Sequence, residues 1–283
     1  MVGNKVRELD VPKPSFKSLL KKLHKLIQSW NIFHSSAHGS IRRHSPQTSA
    51  KPHCGKKYLF TTDVRNCFPS TTTDMLFLEL SRSQFCTETS VLLSRLLTVH
   101  GHVPQGAATS SDAINLLFRR IDGIIWSLCK QNGFVYTRYV DDCNISGNDG
   151  RIGKMIVERL ESEISSLGLC TNPTKSKCYI QGGDQQRVQG LSVYHKSGTA
   201  INKDKEREVQ KLALEYIQKC KEYTVASDAE IKRLRVKLTG HLAYFRSANF
   251  NKCKHLRKLI RCGDRRKKER MQYEVKPEFP CPE

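Results

Sequence analysis

Two adjacent aspartates, Asp141 and Asp142, close the segment Tyr139-Val140-Asp141-Asp142 and constrain this chain more than any other feature. Neighbouring carboxylates repel, and one of them tends to keep its proton. A divalent cation removes that cost. Before the pair runs Phe134-Val135-Tyr136-Thr137-Arg138, rich in β-branched and aromatic residues, and after it Cys143-Asn144-Ile145-Ser146-Gly147. The pattern predicts a β-hairpin with both carboxylates at its tip. Hard cations take such oxygen ligands and keep positions open for water and substrate phosphates. An isolated Asp-Asp pair is most often a solvated turn, so the surrounding sequence decides.

Other blocks do accompany the pair. Tyr58-Leu59-Phe60-Thr61-Thr62 runs into Asp63, with Phe68 five residues beyond. Val103-Pro104-Gln105-Gly106 follows, with Asn115 downstream. After the pair come Asn172-Pro173-Thr174-Lys175 and Val188-Gln189-Gly190-Leu191. This order, from Tyr58 to Val193, resembles the palm of reverse transcriptases. The resemblance implies an α+β right-hand polymerase. Fingers and palm, an antiparallel sheet packed on helices, would occupy residues 1–195, and a basic helical thumb with a tail residues 196–283.

The same resemblance implies roles. Asp63 and Asp141 bridge two Mg²⁺ ions, with Mn²⁺ as an alternative, and Asp142 tunes them. Lys175 protonates the leaving pyrophosphate, or is an ordinary surface lysine. Phe68 is the sugar gate that leaves no room for a 2′-hydroxyl, or a core phenylalanine. Arg7, in the strand-like Lys5–Pro12, contacts the triphosphate, or is an ordinary surface arginine on an edge strand, and only six residues precede it where relatives carry helices. Gln105, Gly106 and Tyr139 complete the dNTP site.

Three further segments resemble bacterial retron reverse transcriptases. Ser49-Ala50-Lys51-Pro52-His53 is similar to Asn-Ala-x-x-His, with Ser in place of Asn. Val188-Gln189-Gly190 stands where retron enzymes have Val-Thr-Gly, and Leu238-Thr239-Gly240-His241-Leu242 is similar to a thumb helix. On this likeness His53, Gln189, Gly190 and His241 contact RNA. The enzyme would copy a structured noncoding RNA, used as template and primer, into short branched DNA, holding an RNA–DNA duplex and dNTPs. It would work in phage defence beside a separate effector protein. RNase H, endonuclease and maturase segments are not seen, which disfavours an intact intron enzyme. The alternatives are another bacterial defence or group II intron-like reverse transcriptase with different priming, and an inactive binder of structured RNA. Three costly carboxylates argue against the last.

Charge distribution fits a polyanion partner. The 283 residues carry +21, split as +10 over residues 1–62, zero over 63–195 and +11 over 196–283. A neutral centre between basic flanks suits nucleic acid gripped from two sides. No apolar run reaches membrane-spanning length and no signal-peptide core is seen, so a membrane partner is not expected. Eleven cysteines without a C-x-x-C spacing suggest free thiols in a reducing cytoplasm, which the retron resemblance implies is bacterial. Cys253, His255 and Cys262 lack a fourth ligand and read as packed or solvated side chains.

Apolar spacing predicts the remaining elements. Phe16, Leu19, Leu20, Leu23, Ile27 and Trp30 mark a first helix, whose opposite lysines are candidates for template contact. A loop spans 34–57. Helices follow from Ser70 or Thr71 to Leu80, over Thr89–Val99, from Ser111, and over 152–167. The usual Ser-Pro at the third of these is Ser111-Asp112 here. Strands near 177–181 and 187–194, turned by Gly182-Gly183-Asp184, read as the primer-grip hairpin. Two helical stripes follow, Val209/Leu212/Tyr216/Cys220 and Ile231/Leu234/Leu238/Leu242/Phe245, and Arg265–Arg270 reads as a frayed tail.

Overall fold

The computed structural model describes residues 10–274 except Gln84, Asp184 and Asn249. Arg7 and the end of the expected turn, Asp184, lie outside the described residues. Two compact units divide the chain, residues 1–189 with 193–198, and residues 190–192 with 199–283.

The first unit is built on a four-stranded sheet. Its strands are β1 (Tyr58–Asp63), β2 (Val135–Tyr139), β3 (Asp142–Gly147) and β4 (Lys177–Ile180), in the order β2-β3-β1-β4. All three pairings are antiparallel. The helices are α1 (Pro14–Ser29), α2 (Pro46–Ala50), α3 (Cys67–Ser70), α4 (Thr73–Ser81), α5 (Thr87–Leu96), α6 (Ser110–Gln131) and α7 (Gly150–Ser166). α6 and α7 both pack against strands of the sheet. α6 buries Ile114, Leu117, Phe118, Ile121 and Ile125 completely, and α7 adds Ile156, Leu160 and Ile164. Gly153 lets α7 approach β1, because any Cβ there would overlap the Phe60 ring.

Several expectations are corrected. α4 is capped by Thr72, whose hydroxyl accepts from Met75 N at 3.2 Å, and not by Ser70 or Thr71, since Cys67–Ser70 form their own helical turn. α5 begins at Thr87 and ends at Leu96. Phe16 and Leu19 are exposed, and the inward face of α1 is Leu20, Leu23 and Ile27. β4 is not one arm of a hairpin with residues 187–194. It pairs with β1, Tyr58 opposite Ile180, as the fourth palm strand. Only the short β5 (Arg187–Val188) and β6 (Leu191–Ser192) flank Gln189 and Gly190. The departure at Asp112 has a use: its buried carboxylate takes His24 Nδ1 at 2.6 Å and Gln28 Nε2 at 2.7 Å, fastening α1 to α6.

In the second unit β6 pairs with β7 (Ala200–Ile201). Helices α8 (Lys203–Lys221), α9 (Asp228–Ala248) and α10 (Phe250–Glu274) pack on one another. The two expected stripes supply the core: Val209, Tyr216, Cys220, Ile231, Leu234, Leu238 and Phe245 are all buried. Asp264 ties the bundle, accepting from Tyr216 Oη at 2.6 Å and Arg235 Nε at 2.8 Å. Arg265–Arg270 is not a frayed tail. It lies within α10, where Lys267 pairs with Asp228 and Arg270 Nε donates to Lys221 O at 2.8 Å. Cys253 is buried while His255 two residues on is exposed, so they share no metal site. Among the described residues no helix is long and apolar enough to cross a membrane.

Candidate active site

Antiparallel register brings the three aspartates to one end of the sheet. Asp63 is the last residue of β1 and stands opposite Asp142, the first residue of β3. Tyr139 also pairs with Asp142 across the hairpin, so Val140 and Asp141 form a two-residue turn. Val140 has φ +59°. For a β-branched residue that is an outlier, costing roughly 1–3 kcal/mol, tolerated only when the surroundings enforce it. The backbone of Asp141 is fixed by its carbonyl, which accepts from Val64 N at 3.1 Å.

Arg138 reaches the turn from the strand before it. It is fully buried beneath the hairpin. Its Nε and Nη2 donate to the two oxygens of buried Asp122 at 2.8 and 2.6 Å, and the guanidinium lies 4.9 Å from the Phe118 ring centroid. Its Nη1 donates to Val140 O at 2.7 Å and Asn115 Oδ1 at 3.0 Å. Asn115 Nδ2 in turn donates to Gly39 O at 2.9 Å. Sequence reading missed Arg138, Asp122 and Gly39. A signal was present: one charge of each sign inside an apolar strand and an apolar helix is affordable in a core only as a pair.

Electrostatics at the turn favour a cation. Burial first, then the neighbouring Asp142, push the Asp141 carboxyl up to about 6. Burial also raises Asp142, against the pull of Gln189 Nε2, which donates to Asp142 Oδ2 at 3.2 Å. Asp63 accepts from Lys175 Nζ at 2.7 Å, and that bond raises the pKa of the ammonium. Asn172 holds Asp63 from the same side, its backbone N donating to Asp63 O at 2.7 Å. Among the described residues no three His, Cys, Asp or Glu side chains form a closed ion cage. A small hard cation needs none, since it binds through one or two carboxylates plus substrate phosphates. Three crowded carboxylates, two of them held towards the protonated state, fit that donor set.

The other expected residues divide. Phe68 is half-buried against the core in α3. Gln105 is half-buried and its carbonyl accepts from Asp10 N at 3.0 Å, while Gly106 is exposed with φ +107°. Tyr139 is half-buried at the hairpin. Assignment of His53 to RNA is corrected: it is fully buried, with Nδ1 2.7 Å from Ser146 Oγ and Nε2 2.8 Å from Thr137 Oγ1. Burial pushes its imidazole down to about 3, so it is neutral and spent on the sheet. Ser49, beside it in the motif, meets the same Thr137 hydroxyl at 3.1 Å. Gln189, also expected at RNA, has its amide engaged by Asp142. Gly190 is exposed with φ +76°, and His241 is half-buried on α9 of the second unit.

Comparison with known proteins decides the family. Residues 3–216 match the model of the family described as reverse transcriptase (RNA-dependent DNA polymerase). The chain belongs to this family. Among curated reverse transcriptases, it is 27% identical over 262 residues to the Retron Mx65 reverse transcriptase of Myxococcus xanthus, covering 86% of this chain and 58% of that protein. It is 29% identical over 194 residues to the Retron Ec86 reverse transcriptase of Escherichia coli, covering 66% and 60%. The chain thus spans somewhat over half the length of these relatives. An apo telomerase structure from Candida tropicalis aligns with TM-score 0.52 at 10% identity, over 91% of this chain and 51% of that one, which shows the fold alone. Reverse transcriptases as a family use divalent metal ions, in keeping with the carboxylates described above.

Proposed function

We propose that this chain is an RNA-directed DNA polymerase of retron type. The observation that carries the reading is the register of Asp63 with Asp142, with Asp141 in the turn between β2 and β3. Asp63 and Asp141 would hold two Mg²⁺ ions, with Asp142 beside them. Bound there, the ions supply a nucleophilic primer hydroxyl and charge neutralisation at the transferred phosphate. The chain's own residues do the rest. Lys175 pairs with Asp63 and, once a cation takes the carboxylate, would be released to meet the leaving pyrophosphate. Gln189 orients Asp142. On the family resemblance Phe68 would be the gate against a 2′-hydroxyl, and Arg7, outside the described residues, the triphosphate contact.

The finer reading follows the retron likeness. The template and primer are one structured noncoding RNA, the product is a short RNA-linked DNA, and the setting is antiphage defence with a separate effector protein. Primer extension on an RNA template with dNTPs tests the activity. Wild-type protein should extend only with a divalent cation. Asp63→Asn and Asp141→Asn should each lose at least about 100-fold in rate while keeping RNA affinity within about two-fold, since phosphate contacts from the basic flanks supply binding. Undiminished extension by either variant removes the two-metal assignment. Sequencing the DNA made on co-purifying RNA tests the retron part.

A further inference from the structure

Asp122 alone would satisfy the charge of Arg138, yet the guanidinium spends its third nitrogen elsewhere. Nη1 reaches Val140 O and Asn115 Oδ1 together. Asn115 passes the contact on to Gly39 O, and Gly39 lies against Val140: a Cβ on residue 39 would overlap Val140 Cγ2 and stand 2.5 Å from its backbone nitrogen. The segment around Gly39 is itself fixed to β2, with Arg138 N donating to Ser36 O at 2.8 Å and His38 N donating to Arg138 O at 2.7 Å. Val140 is thus held at its carbonyl by Arg138 and closely packed beside its side chain and backbone nitrogen by Gly39, with Asn115 bonded to both Arg138 and Gly39.

We infer that Arg138, Asn115 and Gly39 form a positioning clamp for the polymerase reaction, setting the place of the Asp141 carboxylate by holding Val140 in its left-handed conformation. The inference rests on the polymerase reading. None of the three touches reacting atoms; each acts through the turn. A β-branched residue released from this conformation relaxes towards the extended or helical regions, and the peptide joining it to Asp141 rotates with it. A carboxylate displaced by about 1 Å loses on the order of 100-fold in rate. The clamp also accounts for two buried polar residues, Asn115 and Asp122, on a helix that otherwise turns an apolar face to the sheet. Asp122 fixes the guanidinium plane, and its bond from Tyr136 Oη at 2.9 Å fixes Asp122.

Gly39→Ala and Asn115→Ala test this. Each should lower the single-nucleotide rate per active site by about 10- to 100-fold, with the dNTP KM and template–primer affinity within about two-fold. Active sites are counted by the burst of first-nucleotide addition, so misfolded protein does not register. Because both substitutions release one turn, the double variant should be no slower than the slower single variant, whereas independent effects would multiply. Leu97→Ala, a buried position in the same unit away from the turn, controls for stability: it should lower the thermal midpoint and keep the per-site rate. Amide hydrogen exchange at Asp141 and Asp142 gives a readout apart from turnover, and should quicken at least about 10-fold in both clamp variants. Unchanged exchange, or a full per-site rate in folded Gly39→Ala, overturns the clamp. A wild-type chain that makes no DNA would sink the polymerase reading instead, and exchange would still judge the hold on Val140.

Discussion

At Asp141 the active site carries its own instability. Its carboxyl, pushed up to about 6 in the folded chain, titrates in the ordinary carboxylate range when unfolded. Between these values the folded chain holds a proton that the unfolded chain has released. Stability from this group is therefore present at low pH and lost as pH rises from about 4 to about 6. Above that window a bound divalent cation compensates. Mg²⁺ should raise the thermal midpoint more at about pH 7.5 than at about pH 5, and the pH-dependent part should shrink in Asp141→Asn to the share carried by Asp142. Without metal at neutral pH, Asp141→Asn should itself be more stable by roughly 1–2 kcal/mol, allowing for partial exposure, as denaturant titration would show. Phe68 gives a separate test. If its ring closes the sugar site, Phe68→Ala raises ribonucleotide over deoxyribonucleotide incorporation, and equal discrimination in variant and wild type returns it to the core.

The loop ahead of β1 shows how a motif can be legible and its role not. His53 and the sheet were both apparent from sequence, but nothing in one dimension shows that Thr137 and Ser146 leave inward hydroxyls on neighbouring strands for an imidazole to bridge. Removing His53 takes the ring partner from the Ser146 hydroxyl and leaves Thr137 with Ser49 alone. His53→Ala should cost about 2–4 kcal/mol in denaturant unfolding while leaving RNA affinity unchanged, the opposite of what an RNA contact gives. The sign at acid pH is opposite to that of Asp141. His53 at about 3 and His38 at about 4 bind protons more weakly folded than unfolded, so their contribution falls away as pH drops below about 6.5. The acid limb should be shallower in His53→Ala. Among larger elements, α6, α7 and the catalytic hairpin were readable because long apolar periods and tight turns are local. β4 was misassigned because its partner, β1, lies more than a hundred residues earlier, and periodicity does not encode pairing. Arg265–Arg270 was misread because acceptors on other segments, Asp228 and Lys221 O, turn a charge run into helix.

For the whole molecule, the charge distribution would separate catalysis from affinity on the proposed reading. The residues from 63 to 195 are neutral, and on the proposed reading the basic flanks would supply RNA contacts whose strength falls steeply with salt and which carry no sequence choice. Choice of one RNA would then rest on shape or on unpaired bases read by few side chains. Replacing residues 188–283 by those of a relative is expected to transfer RNA preference with the chemistry intact, read by offering both noncoding RNAs and sequencing the products; a chimera faithful to its original RNA would move recognition towards residues 34–57. The strand order β2-β3-β1-β4 has a further consequence, for the order in which the protein assembles on the ribosome. β1 is synthesised first, but its partners arrive only with residues 142–147 and 177–180. Until then an apolar strand ending in Asp63 has both edges open, while β2 and β3 pair as soon as they emerge. Such delayed, non-local pairing slows folding and exposes strand edges to other chains. Asp63 thus cannot meet Asp142 until the hairpin has been made, and a nascent chain halted before residue 142 holds the Asp63 carboxylate with no site to belong to.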